Sequence, residues 1–154
     1  MSTRTQLGDA LPKAYQHLIA LHGCVEKAAA EAGIDQTTIE LIKIRVSQLN
    51  GCAFCTDMHS RDARTAGETE RRIFVLPVWR ETELFSAQER AALSLAEAMT
   101  TLPEHQDVPD AVYDHAATVF TEQQLTVVAW AATVINTFNR LGVTSRKPLP
   151  RSAS

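Results

Sequence analysis

The chain has 154 residues, of which 45% are hydrophobic and 21% are charged, and its formal net charge is −3. This length suits one domain with its own hydrophobic core, and the composition is that of an ordinary globular protein. The weakly acidic charge gives no electrostatic attraction to nucleic acid or to an anionic membrane surface, so neither partner is expected. The first residues lack the apolar stretch of a secretory signal, and no apolar run is long enough to span a bilayer. We therefore expect a cytoplasmic protein.

Apolar residues recur at helical spacing along nearly the whole chain. Pro12 is placed to open a first helix, which Gly33 is placed to end. Asp35 can cap a second helix, which the Asn50-Gly51 pair ends by turning the chain. A third helix carries two cysteines and reaches Ala66.

The second half of the chain carries equally clear helix signals. Capping boxes are predicted at two segments, Ser86 to Glu89 and Thr121 to Gln124, and Pro109 is predicted to begin a short helix between them. The segment from Leu102 to Val108 reads as a polar connection, and no stretch has the alternating pattern of a strand. The sequence predicts an all-α, single-domain helical bundle over residues 12–145, with an N-terminal arm over 1–11 and a disordered tail over 146–154.

One stretch of the chain holds the candidate site. Cys52 and Cys55 form a C-x-x-C pair, His59 follows four residues after Cys55, and Glu40 lies twelve residues before Cys52. In a helix that begins near Cys52, each residue turns the chain by about 100°, so both cysteines and His59 share one face. If the two helices around the Asn-Gly turn are antiparallel, Glu40 comes level with His59.

These residue types at this spacing indicate an activated nucleophile. A thiol in the first turn of a helix meets unpaired N–H groups and the positive end of the helix dipole, both of which favour a thiolate. A glutamate that orients a histidine, which deprotonates a thiol, completes the arrangement. A second thiol can then condense with the oxidised first thiol to form a disulfide. Cys24 stands apart and is expected to be buried as a small apolar residue.

Zinc binding is the competing chemistry. A closed structural zinc site takes four ligands, and Cys52, Cys55 and His59 supply three. The fourth ligand could be a water molecule or one of three side chains, Glu40, His17 or His22. The sequence has no second C-x-x-C or H-x-x-H pair, so redox chemistry is favoured, and neither a metal ion nor another cofactor is predicted.

The combination of Glu40, Cys52-Ala53-Phe54-Cys55 and His59 resembles the alkylhydroperoxidase D-like branch of the carboxymuconolactone decarboxylase family. The surrounding text QLNGCAFCTDMHSRDARTAGETE and the late segment INTFNRLGV are similar to that family too. The resemblance covers roughly residues 12–145. It implies the alkylhydroperoxidase D-like helical bundle, assembled as a trimer or hexamer.

The resemblance also implies an activity. The redox branch of the family reduces peroxides with a cysteine pair that a thiol donor, or a lipoyl- or thioredoxin-type donor, reduces again. At the matching positions Cys55 would be the thiolate that attacks the hydroperoxide, Cys52 the resolving partner, and His59 with Glu40 the proton relay. The best-known peroxidases of the family have a histidine where this chain has Phe54, so one relay member is missing here. The non-redox lactone decarboxylases lack the cysteine pair, so decarboxylation is not expected.

We therefore expect an oxidoreductase, a thiol-dependent peroxidase with peroxiredoxin-type activity. One alternative is a disulfide oxidoreductase or redox sensor with weak peroxidase activity, and another is a structural zinc or scaffold protein. Asn139 and Arg140 end a helix, where a basic side chain is favourable in any case, so they are left out of the catalytic set. A homo-oligomer is expected, with Trp79 and Phe85 as aromatic side chains exposed for subunit contacts.

Overall fold

The computed structural model describes residues 3–151, and every regular element in this range is a helix. The helices are, in chain order, α1 (Leu7–Ala10), α2 (Pro12–Glu31), α3 (Gln36–Leu49), α4 (Ala53–Thr65), α5 (Glu70–Val75), a 3₁₀ helix (Leu76–Glu81), α6 (Ala87–Thr100), α7 (Leu102–His105), α8 (Asp110–Val119) and α9 (Glu122–Ser145). The predicted all-α fold is confirmed. Within residues 3–151, no helix has the length and apolar character needed to cross a bilayer.

Most helix ends lie where the sequence signals place them. The Ser86 hydroxyl accepts the backbone N–H of the third residue of α6, and Thr121 does the same at the start of α9, so both capping boxes are present. Gly51 has a φ of 68°, a conformation that glycine adopts without strain, and it turns the chain from α3 into α4. Asp35 precedes α3 but makes no capping hydrogen bond with its side chain. The connection after Leu102 contains the short helix α7, which the sequence did not predict.

Helix α3 lies at the centre of the bundle. Its residues from Thr38 to Ile44 are all buried, and it packs against α2, α4, α6 and α9. A helix buried on all sides has no solvent-facing stripe, so any charged residue on it must find a partner inside the protein. Both Glu40 and Lys43 lie on this segment.

A smaller hydrophobic cluster forms between α3, α6 and the 3₁₀ helix, and it corrects one prediction. Trp79 and Phe85 are each only 4% exposed and belong to this cluster, so the prediction that they lie at the surface is wrong. The 3₁₀ turn directs the Trp79 ring inward, where its indole N–H donates to Glu97 Oε1 at 2.9 Å. The homo-oligomer stays a prediction, but these two buried side chains are not available as subunit contacts.

The two ends of the described chain meet beside α9. Gln6 Nε2 donates to the backbone carbonyl of Ser145 at 2.9 Å, and the Leu7 backbone N–H donates to Ser145 Oγ at 3.1 Å. The predicted arm, domain and tail boundaries stay predictions. Residues 1–2 of the predicted arm and 152–154 of the predicted tail lie outside the described residues.

Candidate active site

The turn between α3 and α4 places both thiols at the start of α4. Cys52 is the N-cap residue, and its sulfur accepts the backbone N–H of Cys55 at 3.4 Å. The two Sγ atoms lie 2.7 Å apart, and both side chains are buried, with 3% and 4% of their surface exposed. The two sulfurs are therefore within direct reach of each other, as a redox pair requires.

The two thiols have opposite acidities. The hydrogen bond between the two sulfurs lowers the pKa of Cys52 from 9.0 to about 6. That same hydrogen bond, together with burial, raises the pKa of Cys55 above its usual range. In this arrangement the negative charge rests on Cys52, at the helix N-terminus, and the proton stays with Cys55.

Asn139 is the polar side chain of α9 that supports this charge. It is fully buried, donates to Ser47 Oγ at 3.0 Å and accepts from Asn50 Nδ2 at 3.0 Å. Its side-chain amide lowers the pKa of both thiols. The sequence predicts that Asn139 ends a helix and has no catalytic role, but α9 continues to Ser145 and Asn139 lies inside it. The structure places it against the thiol pair.

Glu40 and His59 meet as the helix geometry predicted. His59 Nδ1 lies 2.9 Å from Glu40 Oε2, and both side chains are almost fully buried. Asp62, on the next turn of α4, lies farther from the same nitrogen, at 3.7 Å, and is more than half exposed. No hydrogen bond joins the imidazole to either sulfur among residues 3–151. The link between His59 and Cys55 is instead the cavity that both side chains line.

Two further charged residues, Lys43 and Glu26, are linked to the Glu40–His59 pair by ion pairs. Lys43 Nζ lies 3.1 Å from Glu40 Oε1 and also contacts Glu26 of α2 directly. Burial raises the pKa of the Glu40 carboxyl, but hydrogen bonds from His59 and the charge of Lys43 outweigh it and hold that pKa below its ordinary value. Burial likewise raises the pKa of Glu26, but hydrogen bonds from His22 and Lys43 outweigh it and lower the pKa to about 2.

Lys147 brings a positive charge to the other side of the thiols. Its ammonium lies 4.0 Å from the centre of the Phe54 ring, and its charge lowers the pKa of both Cys52 and Cys55. Its backbone N–H donates to the carbonyl of Gly142 at 3.0 Å, which holds the segment after α9 against the last turn of that helix. The aromatic residue between the two cysteines, Phe54, thus supports a cation close to the site.

A cavity of about 650 Å³ opens in front of Cys55. Glu40, Lys43 and His59 line its polar end. The rest of the wall is largely apolar and aromatic and includes Tyr15, Ile19, Phe54, Met58, Phe138 and Leu141. Of the two cysteines of the motif, Cys55 lines this cavity and Cys52 does not. A volume of this size accepts a small organic molecule as well as hydrogen peroxide.

The arrangement of possible metal ligands differs from the zinc alternative. Glu40, His59 and Asp62 bring ligand atoms within 4.8 Å of one another, and within residues 3–151 no cysteine joins a group of three. The zinc hypothesis needed both cysteines together with His59, and the described structure does not assemble that set.

Cys24 is exposed on α2, so the prediction that it is a buried apolar residue is wrong. The helix around it keeps only Val25 and Ala29 buried.

Sequence reasoning missed Lys43, Glu26, Asn139 and Lys147. Lys43 gave a usable signal, because it lies one helical turn after Ile39, on the face that the apolar pattern assigns to the core. Glu26 gave none, since its place beside Lys43 depends on how α2 packs against α3. Lys147 lies in a segment whose composition, SRKPLPRSAS, predicted disorder.

Comparison with known proteins places the chain in a family. The carboxymuconolactone decarboxylase family profile matches residues 20–98. An uncharacterised protein of Bacillus subtilis, YdfG, is 41% identical over 143 residues, covering 93% of this chain and 94% of its own length. The uncharacterised YnjA of Escherichia coli is 32% identical over 93 residues, 60% of this chain and 50% of its own. This chain belongs to the carboxymuconolactone decarboxylase family.

Two solved structures have a fold similar to that of this chain. A protein of unknown function from Agrobacterium tumefaciens, provisionally described as the antioxidant defence protein AhpD, superposes with a TM-score of 0.87 at 35% identity, covering 97% of this chain and 99% of that one. The debrominase Bmp8 superposes with a TM-score of 0.80 at 20% identity, over 93% of this chain and 74% of that one. The first match confirms the alkylhydroperoxidase D-like helical fold. The second shares the fold alone.

Proposed function

We propose that this protein is a thiol-dependent peroxidase in which Cys55 reduces a hydroperoxide and Cys52 closes the disulfide. One observation carries the proposal: Cys55 lines a cavity that the Glu40–His59 pair also lines, and its sulfur lies 2.7 Å from the Cys52 sulfur. The nucleophile and the proton acceptor thus line one substrate-sized space, and the resolving thiol lies directly beside the nucleophile. The family membership and the fold shared with an AhpD-like protein support an antioxidant role.

The first step uses the charge distribution of the site. His59 accepts the proton of the Cys55 thiol as that sulfur attacks the hydroperoxide, so an S–O bond forms while the O–O bond breaks. Cys55 becomes a sulfenic acid, and the leaving alkoxide takes the proton back from His59 and departs as an alcohol. The positive charge of Lys147 and the amide of Asn139 stabilise the negative charge that the two sulfurs carry during the attack.

The second step uses the lowered pKa of Cys52, the cysteine that does not line the cavity. Cys52 is already a thiolate near neutral pH, and its sulfur attacks the sulfenic sulfur of Cys55. An S–S bond forms, the S–O bond breaks, and hydroxide leaves as water with a proton from solvent. The two thiols lose two electrons and the peroxide gains them. An external dithiol, of lipoyl or thioredoxin type, then reduces the disulfide.

A mass-resolved thiol count tests this proposal. Reduced protein is treated with one equivalent of cumene hydroperoxide, quenched in acid and alkylated. We expect Cys52 and Cys55 to be lost together as a disulfide, while Cys24 stays alkylatable. In the Cys52→Ser variant a sulfenic acid should persist on Cys55 and be trapped by a dione reagent, and Cys55→Ser should abolish peroxide consumption. Cys24→Ser is the matched control, and an unreacted Cys52/Cys55 pair would overturn the proposal.

A disulfide oxidoreductase or redox sensor is the second candidate. Two observations favour it: the low pKa of Cys52, which is the first cysteine of the motif, and Phe54, which cannot transfer a proton. This candidate predicts rapid exchange with a dithiol and slow reaction with peroxide, and the two rates measured on the same preparation separate the candidates.

We also propose a homo-oligomer, trimeric or hexameric, which light scattering would measure.

A further inference from the structure

The side chain of Lys43 is a buried charge that the peroxidase steps above do not use. Only 4% of its surface is exposed, and it lies between two carboxylates, in direct contact with Glu26 and 3.1 Å from Glu40 Oε1. A buried ammonium is costly unless it is paired, and here two carboxylates pair it. It lines the same cavity as Cys55 and is one side chain removed from His59.

The surroundings of Lys43 show where its charge acts. The charged, titratable or polar side chains around the Glu40–Lys43 pair are His22 and Glu26 from α2, Gln36 from α3, and His59 and Asp62 from α4. On the α9 side, Lys43 meets the apolar lining formed by Ala131, Val134, Ile135 and Phe138. Within residues 3–151, the carboxylates that contact the ammonium directly are those of Glu26 and Glu40.

The two oxygens of Glu40 have separate partners. Oε1 accepts from Lys43 Nζ at 3.1 Å and from Gln36 Nε2 at 2.8 Å, whereas Oε2 faces His59 Nδ1 at 2.9 Å. With donors on Oε1 and the carboxylate ionised, Oε2 is an acceptor, and a neutral His59 must then carry its proton on Nδ1. That tautomer leaves Nε2 with a lone pair for the cavity.

We propose that Lys43 is a positioning residue, whose ammonium keeps Glu40 ionised and thereby holds His59 in the tautomer with its proton on Nδ1 and a free lone pair on Nε2. This inference rests on the proposed function, because in that mechanism the Nε2 lone pair accepts the proton of Cys55. The tautomer itself exists without peroxide and can be measured without turnover.

The test is a ¹⁵N spectrum of the histidine side chains at a pH at which His59 is neutral, with its signals identified by loss in His59→Gln. Wild-type protein should show the Nδ1–H pattern. Lys43→Met keeps the chain length against the apolar α9 face and should shift His59 toward the Nε2–H form. Lys27→Met is the matched control, because Lys27 lies on the surface of α2 with 79% of its side chain exposed. Retention of the Nδ1–H pattern in folded Lys43→Met would overturn the proposal.

A second variant keeps the test decisive if Lys43→Met fails to fold. Glu26→Gln removes one of the two carboxylates, so the Lys43 charge acts on Glu40 alone. The pH below which the Nδ1–H pattern is lost should then move down, and either an unchanged pH or an upward movement contradicts the proposal. A protein that keeps these spectral responses but leaves its thiols unreacted with peroxide would refute the peroxidase function while Lys43 keeps its positioning role.

Discussion

Gly142 of α9 packs directly against the sulfur of Cys52. A Cβ atom at this position would lie 2.9 Å from Cys52 Sγ and 3.7 Å from Cys55 Sγ. The first distance is shorter than real Cβ contacts allow, so α9 approaches the thiol pair this closely only because position 142 has no side chain. Asn139 lies one turn earlier on α9, and its side-chain amide lowers the pKa of both thiols.

Gly142→Ala should therefore damage the site despite alanine's better helix propensity. We expect a loss of about 1–3 kcal/mol in the free energy of unfolding, because an added methyl group in a packed interior forces its neighbours apart. We also expect slower disulfide formation between Cys52 and Cys55. Chemical denaturation and quenched alkylation measure the two effects.

Gly23→Ala is the matched control for this substitution. Gly23 lies inside α2, and nothing lies within 4 Å of a Cβ added there. The same change should stabilise the protein by about 0.5–1 kcal/mol, as expected for glycine in a helix interior. Equal effects at the two positions would show that packing against Cys52 does not matter.

Lys147→Met should raise the pKa of Cys52 from its value of about 6, because the variant removes a positive charge that stabilises the thiolate. The ultraviolet absorbance of the thiolate, followed against pH, measures this shift. Lys13→Met removes an equal charge from an exposed position in the first turn of α2 and serves as the control. A titration midpoint that is the same in both variants would argue against the role of Lys147.

Asn139→Leu should raise the pKa of Cys52 and destabilise the fold by about 1–3 kcal/mol, because Ser47 and Asn50 lose a buried hydrogen-bond partner. Asn136→Leu makes the same change three residues earlier in α9. Asn136 also accepts from Asn50, but it makes no hydrogen bond to either thiol, so that variant should lose stability and keep the thiolate titration. Equal titration curves for the two variants would contradict the role of Asn139.

Glu26 should contribute to acid unfolding. Its pKa is about 2 in the folded protein and 4.5 when unperturbed, so its stabilising contribution is complete above 4.5 and is lost as the pH falls from 4.5 toward 2. Glu26→Gln should be less stable than wild type at neutral pH, and the difference should narrow through this window. Glu31→Gln, at the exposed end of α2, is the control, and denaturant titrations at several pH values measure the effect. A difference that stays constant down to a pH of about 2 would exclude this role.

The sequence predicted the parts of this molecule that depend on local geometry. The capping boxes at Ser86 and Thr121, the Asn50-Gly51 turn and the pairing of Glu40 with His59 all follow from helix rise and from the chemistry of a few neighbouring residues. Because the turn between α3 and α4 is short, the register across it is fixed by counting residues.

The parts that depend on packing between distant segments were not predictable in the same way. Trp79 lies in a 3₁₀ helix and Phe85 in the irregular segment after it, and both pack into one buried cluster that the apolar pattern of a helix does not predict. Cys24 is exposed because few residues of α2 reach the core. Lys147 approaches the thiols because the backbone after α9 folds back onto Gly142, whereas composition alone indicated a disordered segment.

The N-terminal residues form part of the cavity wall without contributing to the core. Gln6, Gly8 and Asp9 line the cavity in front of Cys55, yet helix α1 has no buried residue. A chain shortened to begin at Pro12 would therefore unfold at nearly the same denaturant concentration while its reactive sulfur became open to bulky reagents. For changes in this N-terminal segment, thermal or chemical stability would be a poor guide to whether the cavity wall is intact. The rate at which reagents of increasing size modify Cys55 reports on the wall directly.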